Sequence, residues 1–177
     1  MRNQKALGVL LFAILVFAAQ SVMAQVYKPL VNRWKPDQRI RVNFFDVLAG
    51  QANDGDKTAV WCFNPVQGTE FVNVENGDKS CLKAQFGGLA AGFASTWDES
   101  LWAIEPVPGT EYVEIKNKST GTYLHIQNGK LELGPREPGW LSSQWILTDN
   151  PGKVMSESGN SKDTEKGITG LNLAKEA

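Results

Sequence analysis

The chain repeats one pattern three times, at an interval of about 42 residues. In the middle of each repeat stands a short apolar step that begins at Ile40, Leu82 or Leu124. Each repeat also opens on an aromatic residue, carries an Asn five positions later and ends near a Trp. These markers are Tyr27, Asn32 and Trp61, then Phe71, Asn76 and Trp102, and finally Tyr112, Asn117 and Trp145. A unit of this length cannot bury its apolar face alone, so the three copies are expected to pack against one another.

The apolar residues inside each repeat follow the pattern of β-strands. Val113 and Ile115 alternate with polar residues at period two, and Gly and Pro are frequent between such runs. Asn128-Gly129, between two apolar steps, is the strongest hairpin signal in the chain. Each repeat thus supplies about four short strands. Three such units closing around a pseudo-threefold axis predict an all-β fold, a β-trefoil, whose barrel has no exposed edge and whose core holds the three recurring Trp residues.

Three regions are predicted along the chain. Residues 1–24 have the form of a signal peptide, because Arg2 and Lys5 precede an apolar run that small residues follow. That run is shorter than the roughly 20 residues of a membrane span, and a retained membrane anchor is the alternative. Residues 25–149 are predicted to form the trefoil domain. Residues 150–177 form a polar tail with too few apolar residues to order itself. The protein is therefore expected to be secreted or periplasmic.

Charge and cysteine content exclude several classes of protein. The formal net charge is -1 and Lys and Arg are scattered among Asp and Glu, which argues against a nucleic-acid binder. A single His and the lack of a paired Cys-x-x-Cys spacing argue against a metal site. Cys62 and Cys81 suit an oxidising compartment and are expected to form a disulfide, with Cα atoms within about 7 Å. Two separate thiols, at least one of them buried, are the alternative.

Three segments of the chain resemble the ricin B-type β-trefoil lectin family. They are residues 30–38, residues 115–126 and the stretch Ser142-Ser143-Gln144-Trp145. The resemblance covers residues 26–148 and is clearest in the third repeat. It implies a trefoil with up to three shallow sugar sites, one in each repeat, and a role as a lectin or carbohydrate-binding module.

Two features depart from the galactose-binding members of that family. The central step of those members usually carries an Asp, whereas the matching positions here are Arg41, Lys83 and His125. The family's Gln-x-Trp signature is also altered, since Gln144 directly precedes Trp145. The resemblance therefore supports the fold more strongly than it supports galactose binding.

Candidate sugar-binding residues surround a second Trp, which precedes the core Trp by five positions in two of the repeats. A sugar ring packs on an aromatic face while a few polar side chains bond its hydroxyls. The candidates are Trp140, His125, Asn128, Glu132 and Gln144 in the third repeat, and Trp97, Asp98 and Lys83 in the second. His125 is expected at the surface, and the third site is expected to be the most complete. The alternative is that Trp97 and Trp140 only plug the open end of the barrel.

These observations predict a non-catalytic carbohydrate-binding protein. A hydrolase needs a nucleophile with a base, or two carboxylates across a cleft, and neither motif is recognisable. The expected partner is a glycan, and no cofactor is implied. A protein-binding trefoil, such as an inhibitor or the cell-binding subunit of a toxin-like assembly, is the alternative. Neither nucleic-acid binding nor membrane insertion after signal removal is expected.

Overall fold

The computed structural model of the protein describes residues 25–53, 55–151 and 153–154. Those residues form twelve β-strands and three 3₁₀ turns. The strands are β1 (Lys28–Asn32), β2 (Arg39–Asn43), β3 (Asp46–Gly50), β4 (Val60–Pro65), β5 (Val72–Asn76), β6 (Cys81–Gln85), β7 (Gly88–Gly92), β8 (Trp102–Pro106), β9 (Val113–Asn117), β10 (Tyr123–Gln127), β11 (Lys130–Gly134) and β12 (Gln144–Leu147). The turns are Lys57–Ala59, Asp98–Ser100 and Leu141–Ser143. The predicted signal peptide and the tail beyond residue 154 lie outside the described residues.

Each repeat contributes four strands, and the outer two of each repeat belong to a closed barrel. β4 pairs with β5, β8 with β9, and β12 with β1, all antiparallel. The pairs β1–β4, β5–β8 and β9–β12 complete the ring. Every barrel strand therefore has a partner on both sides, and the barrel has no open edge.

The inner two strands of each repeat form a hairpin, and the three hairpins pack together. β2 pairs with β3, β6 with β7 and β10 with β11, while β3 also pairs with β7 and β11 contacts both. The predicted Asn128-Gly129 turn is confirmed, with left-handed φ angles of 50° and 72° that suit a two-residue loop. Phe44 and Phe86 have φ angles of 57° and 52° at the equivalent tips, where a bulky side chain is strained. Both rings are exposed, as is that of Phe45.

Three tryptophans lie in the centre of the barrel, as predicted. None of them has any solvent exposure. Each indole N–H donates to a backbone carbonyl of the apolar step in its own repeat. These bonds join Trp61 to Ile40 (2.8 Å), Trp102 to Leu82 (2.9 Å) and Trp145 to Leu124 (2.9 Å). The indoles therefore contribute their full apolar area to the core while their polar group keeps a partner.

In each repeat, a Lys or Arg side chain lies over the first aromatic residue of the preceding repeat. The third repeat counts as the one that precedes the first, because the barrel is closed. The pairs are Lys79 over Tyr27 (4.8 Å to the ring centroid), Lys118 over Phe71 (4.9 Å) and Arg33 over Tyr112 (4.7 Å). One such cation–π contact stands at each junction between repeats, so the three contacts form a cycle.

The predicted disulfide between Cys62 and Cys81 is wrong. Both thiols are free and buried. Cys62 on β4 and Cys81 on β6 are each paired with Glu75, which lies on β5 between them. Adjacent strands are about 4.8 Å apart, so the two Cα atoms are about 10 Å apart, beyond the reach of a disulfide. Burial raises the pKa of the Cys62 thiol and raises the pKa of Cys81 to about 12.

Packing extends a few residues past the predicted domain boundary at residue 149. Val154 is buried and packs with Val31 and Tyr112 in a small second cluster. The polar segment predicted from residue 150 therefore includes, at Val154, a residue that packs on the domain.

Candidate functional site

The 3₁₀ turn before the last strand of each repeat begins at an equivalent residue. Asp56, Trp97 and Trp140 are the N-cap residues of the three turns. In the first repeat the Asp56 carboxylate accepts a hydrogen bond from the Thr58 backbone N–H at 2.9 Å and so caps its turn. The two tryptophans make no side-chain cap, and the surroundings of their rings differ between the repeats.

In the third repeat Trp140 closes over His125. The two rings meet edge to face, with centroids 6.0 Å apart and an interplanar angle of 78°. His125 is fully buried, and its Nδ1 lies 3.1 Å from Ser142 Oγ. The predicted surface position of His125 is therefore wrong. Leu124 and Ile126 do point into the barrel, but the 3₁₀ turn with Trp140 covers the opposite face of β10.

The environment of His125 favours the neutral imidazole. Its Nε2 is buried without a hydrogen-bond partner among the described residues. Burial lowers the pKa of His125, and the nearby backbone of Pro135 and Gly134 offsets only part of that shift. The ring packs against Gly134, where an added Cβ would lie 3.5 Å from His125 Cδ2. His125 thus behaves as a core residue beneath a tryptophan plug.

The other candidates of the third repeat do not form one site. Glu132 is the direct cross-strand partner of His125 and is half-buried. Asn128 stands at the exposed tip of the hairpin. Gln144 is buried, and its Oε1 accepts a hydrogen bond from Arg33 at 2.7 Å. The structure thus brings Glu132 to His125 but leaves Asn128 and Gln144 apart.

In the second repeat the equivalent tryptophan is open to solvent. Trp97 is 69% exposed, and Phe93, four residues earlier, is 87% exposed. Lys83, which occupies the position of His125, is half-buried on β6, and β6 packs against the 3₁₀ turn that follows Trp97. Asp98 lies in that turn and forms an ion pair with Lys118 at 2.9 Å. The segment between β7 and the turn therefore carries two exposed rings, and the Lys83 side chain lies on the neighbouring strand β6.

Buried hydrogen bonds anchor the segment that carries the two exposed rings. Asn73 Nδ2 donates to the backbone carbonyls of Ser95 (3.1 Å) and Ser100 (2.9 Å). Ser95 Oγ also bonds Ser100 Oγ at 2.8 Å. Asn73 and Ser100 are buried, so these bonds are shielded from water. The sequence alone does not single out these anchors, because Ser and Asn are common in loops. The one available signal is an Asn inside the apolar pattern of β5.

Comparison with known proteins places the fold. No protein-family model and no curated protein sequence matches the chain. Solved structures do match it. SeviL bound to asialo-GM1 saccharide is 20% identical, with a TM-score of 0.60 over 71% of this chain and 98% of that chain. The designed 3-fold symmetric protein ThreeFoil is 17% identical, with a TM-score of 0.60 over 70% of this chain and 98% of that one. The chain is a β-trefoil. The predicted fold is thereby confirmed.

Longer proteins contain a similar trefoil. The Polyporus squamosus lectin, solved with a human-type influenza-binding epitope, is 18% identical, with a TM-score of 0.59 over 72% of this chain and 50% of that chain. A GlcNAcα1-4Gal-releasing endo-β-galactosidase from Clostridium perfringens is 23% identical, with a TM-score of 0.58 over 68% of this chain. The present chain spans only 31% of that enzyme. At such identities the likeness concerns the trefoil scaffold, on which unrelated functions occur.

The other described surfaces of the trefoil are weaker candidates for a binding site. In residues 25–53, 55–151 and 153–154, no three His, Cys, Asp or Glu side chains are grouped to hold a metal ion. The same residues include no helix long and apolar enough to cross a membrane. A shallow depression of about 570 Å³ on the barrel wall is lined by Phe71 and by the paired Lys116 and Glu105, and neither Trp97 nor Trp140 borders it.

Proposed function

We propose that this trefoil is an exported, non-catalytic carbohydrate-binding protein whose principal site lies in the second repeat. The observation that carries the proposal is the 69% exposure of Trp97, at the position where Trp140 packs on His125. An uncovered indole is unfavourable in water, and the C–H face of a sugar ring is a ligand that covers it. SeviL and the Polyporus squamosus lectin share the fold and are known with bound saccharides, which supports the proposal.

The second repeat is suited to bind without rearrangement. Trp97 and Phe93 supply the apolar faces, and the Asn73 side chain holds the backbone between them. Binding then orders only side chains, which keeps its entropic cost low. This assignment differs from the expectation that the third repeat carries the best site, because the indole there is already used to cover His125.

A glycan array probed with residues 25–177 tests the proposal, with two matched tryptophan variants. Trp97→Ala is expected to remove the signal with little change in melting temperature, because its ring is mostly exposed. Trp140→Ala is expected to retain the signal and to lower the melting temperature, because it uncovers His125. The opposite pattern would move the site to the third repeat, and an array without any bound glycan would refute the lectin function.

A protein-binding function is the second candidate, and one observation favours it. Phe44, Phe45 and Phe86 are 88%, 74% and 104% exposed at the tips of two hairpins. Phe44 and Phe45 are neighbours in the chain, and β3, which follows them, pairs with β7 of the hairpin that carries Phe86. Large exposed apolar patches are typical of protein interfaces. If the folded protein shows a cooperative melting transition but binds no glycan on the array, this candidate is favoured over the first.

Export is proposed from the sequence of residues 1–24. Expression of the full chain in a host with a general secretory pathway should release a soluble protein that begins at Gln25. N-terminal sequencing of the exported fraction measures this directly. Recovery of the uncleaved chain in the membrane fraction would indicate a retained anchor instead.

A further inference from the structure

We propose that the second-repeat site selects sugars that carry a carboxylate, and that Lys83 binds that carboxylate. This inference rests on the glycan-binding function proposed above. It concerns the chemical class of ligand, which the fold alone does not define.

Lys83 occupies a position that is covered in the third repeat and open in the second. The side chains of Lys83 and His125 each lie against a glycine of the neighbouring strand, Gly92 and Gly134 respectively. An added Cβ on Gly92 would lie 3.0 Å from Lys83 Cε and 3.5 Å from its Nζ, so glycine leaves the space that the ammonium uses. Trp140 packs on His125, whereas Trp97 is 69% exposed. The Lys83 ammonium therefore lies against the start of the segment that presents the two exposed rings.

The charge of Lys83 is not balanced by an acidic side chain. Elsewhere on the barrel Lys79 pairs with Glu75 and Lys118 pairs with Asp98, both at 2.9 Å. Lys83 is half-buried, yet its ammonium makes neither an ion pair nor a side-chain hydrogen bond within the described residues. Asp98, the acid nearest in sequence to Trp97, is engaged by Lys118. An ammonium without a counter-ion favours an anionic ligand, which can form charge-assisted hydrogen bonds to it.

The ammonium and the two exposed rings are chemically complementary to an acidic pyranose. Trp97 and Phe93 offer faces to the ring C–H groups. An ammonium forms charge-assisted hydrogen bonds to a carboxylate that are about twice as strong as neutral ones. Uronic acids and sialic acids both carry a carboxylate on a pyranose ring, and both belong in the test.

Isothermal titration of residues 25–177 with two matched pairs of sugars tests the inference. The pairs are digalacturonate with digalactose, and sialyllactose with lactose. The acidic member of at least one pair should bind about tenfold more tightly than its neutral partner. The preference should weaken between about 0.05 M and about 0.5 M NaCl. Which pair shows it identifies the source of the carboxylate.

Variants at these positions distinguish the effect of the Lys83 charge on affinity from the effect of the rest of the site. Lys83→Met should lower the affinity for the acidic sugar to that of the neutral one, while Lys83→Arg should keep the preference. Arg41→Met, at the equivalent position of the first repeat, is the matched control and should change nothing. Equal affinities within both pairs, array signals confined to neutral glycans, or a preference that survives Lys83→Met would overturn the inference and leave glycan binding intact. Absence of binding in the titrations and on the array would refute the proposed function itself.

Discussion

The indole N–H of Trp145 and the backbone carbonyl of Leu124 are joined by a 2.9 Å hydrogen bond in the core of the third repeat. Trp145→Phe removes the donor and leaves that carbonyl buried without a partner, which should lower the free energy of unfolding by about 1–3 kcal/mol. Trp145→Ala should cost about 3–5 kcal/mol because it leaves a much larger cavity than Trp145→Phe does. Urea unfolding followed by circular dichroism measures both. Trp97→Phe is the control at an exposed position, and a loss as large as that of Trp145→Phe would contradict the importance of the bond.

His125 should make the protein less stable in mild acid. Burial lowers its pKa, so on acidification the unfolded chain binds a proton before the folded chain does. The free energy of unfolding should fall by about 1 kcal/mol between about pH 7.5 and 5.5, and no loss is expected above that window. His125 is the only histidine of the chain, so His125→Gln should flatten the dependence. Denaturant melts of both proteins at the two pH values give the comparison. Parallel losses in wild type and variant would show that another group is responsible.

Phe86→Asn should stabilise the protein. Phe86 has a φ of 52° and a fully exposed ring, so it pays the strain of the left-handed region without any packing in return. Asn adopts that region readily, and Asn128 does so in the third hairpin. The expected gain is about 1 kcal/mol in the free energy of unfolding. The reciprocal change Asn128→Phe should cost a similar amount. A destabilised Phe86→Asn protein would indicate that the ring has a contact partner in solution.

Cys62 and Cys81 should resist alkylation in the folded protein. Both thiols are buried, and burial raises the pKa of each, so little of the reactive thiolate forms near neutral pH. Mass spectrometry after treatment with iodoacetamide should find no label on the native protein and two labels after unfolding in guanidinium without a reductant. A chain that takes up no label even when unfolded would contain the disulfide after all.

The positions that build the barrel could be predicted from sequence because closing three copies on one axis requires the same residue in each copy. Trp61, Trp102 and Trp145 recur for that reason, and all three are buried. Strand alternation also puts Cys62 and Cys81 on one face, but periodicity alone does not reveal that β5 runs between them.

The state of the second tryptophan could not be predicted, because it depends on what lies across from it. Trp140 meets the flat, neutral ring of His125, which packs edge to face with an indole. Trp97 has Lys83 at the matching position, and an ammonium resists being sealed from water. The residue on the central strand is thus one difference between the repeat whose indole packs and the repeat whose indole is exposed.

The cycle of cation–π contacts has no first or last member, and neither does the barrel. β1 and β12 lie side by side, with Thr148 N bonded to Pro29 O at 3.1 Å and Lys28 paired with Asp149 at 2.7 Å. The first and last strands of the chain are thus as close to each other as the strands at the other junctions between repeats. A circularly permuted chain, opened at the turn of Gly68 or Gly109 and joined across β12 and β1, keeps every strand pair of the native barrel. The polypeptide is linear, but its fold is circular.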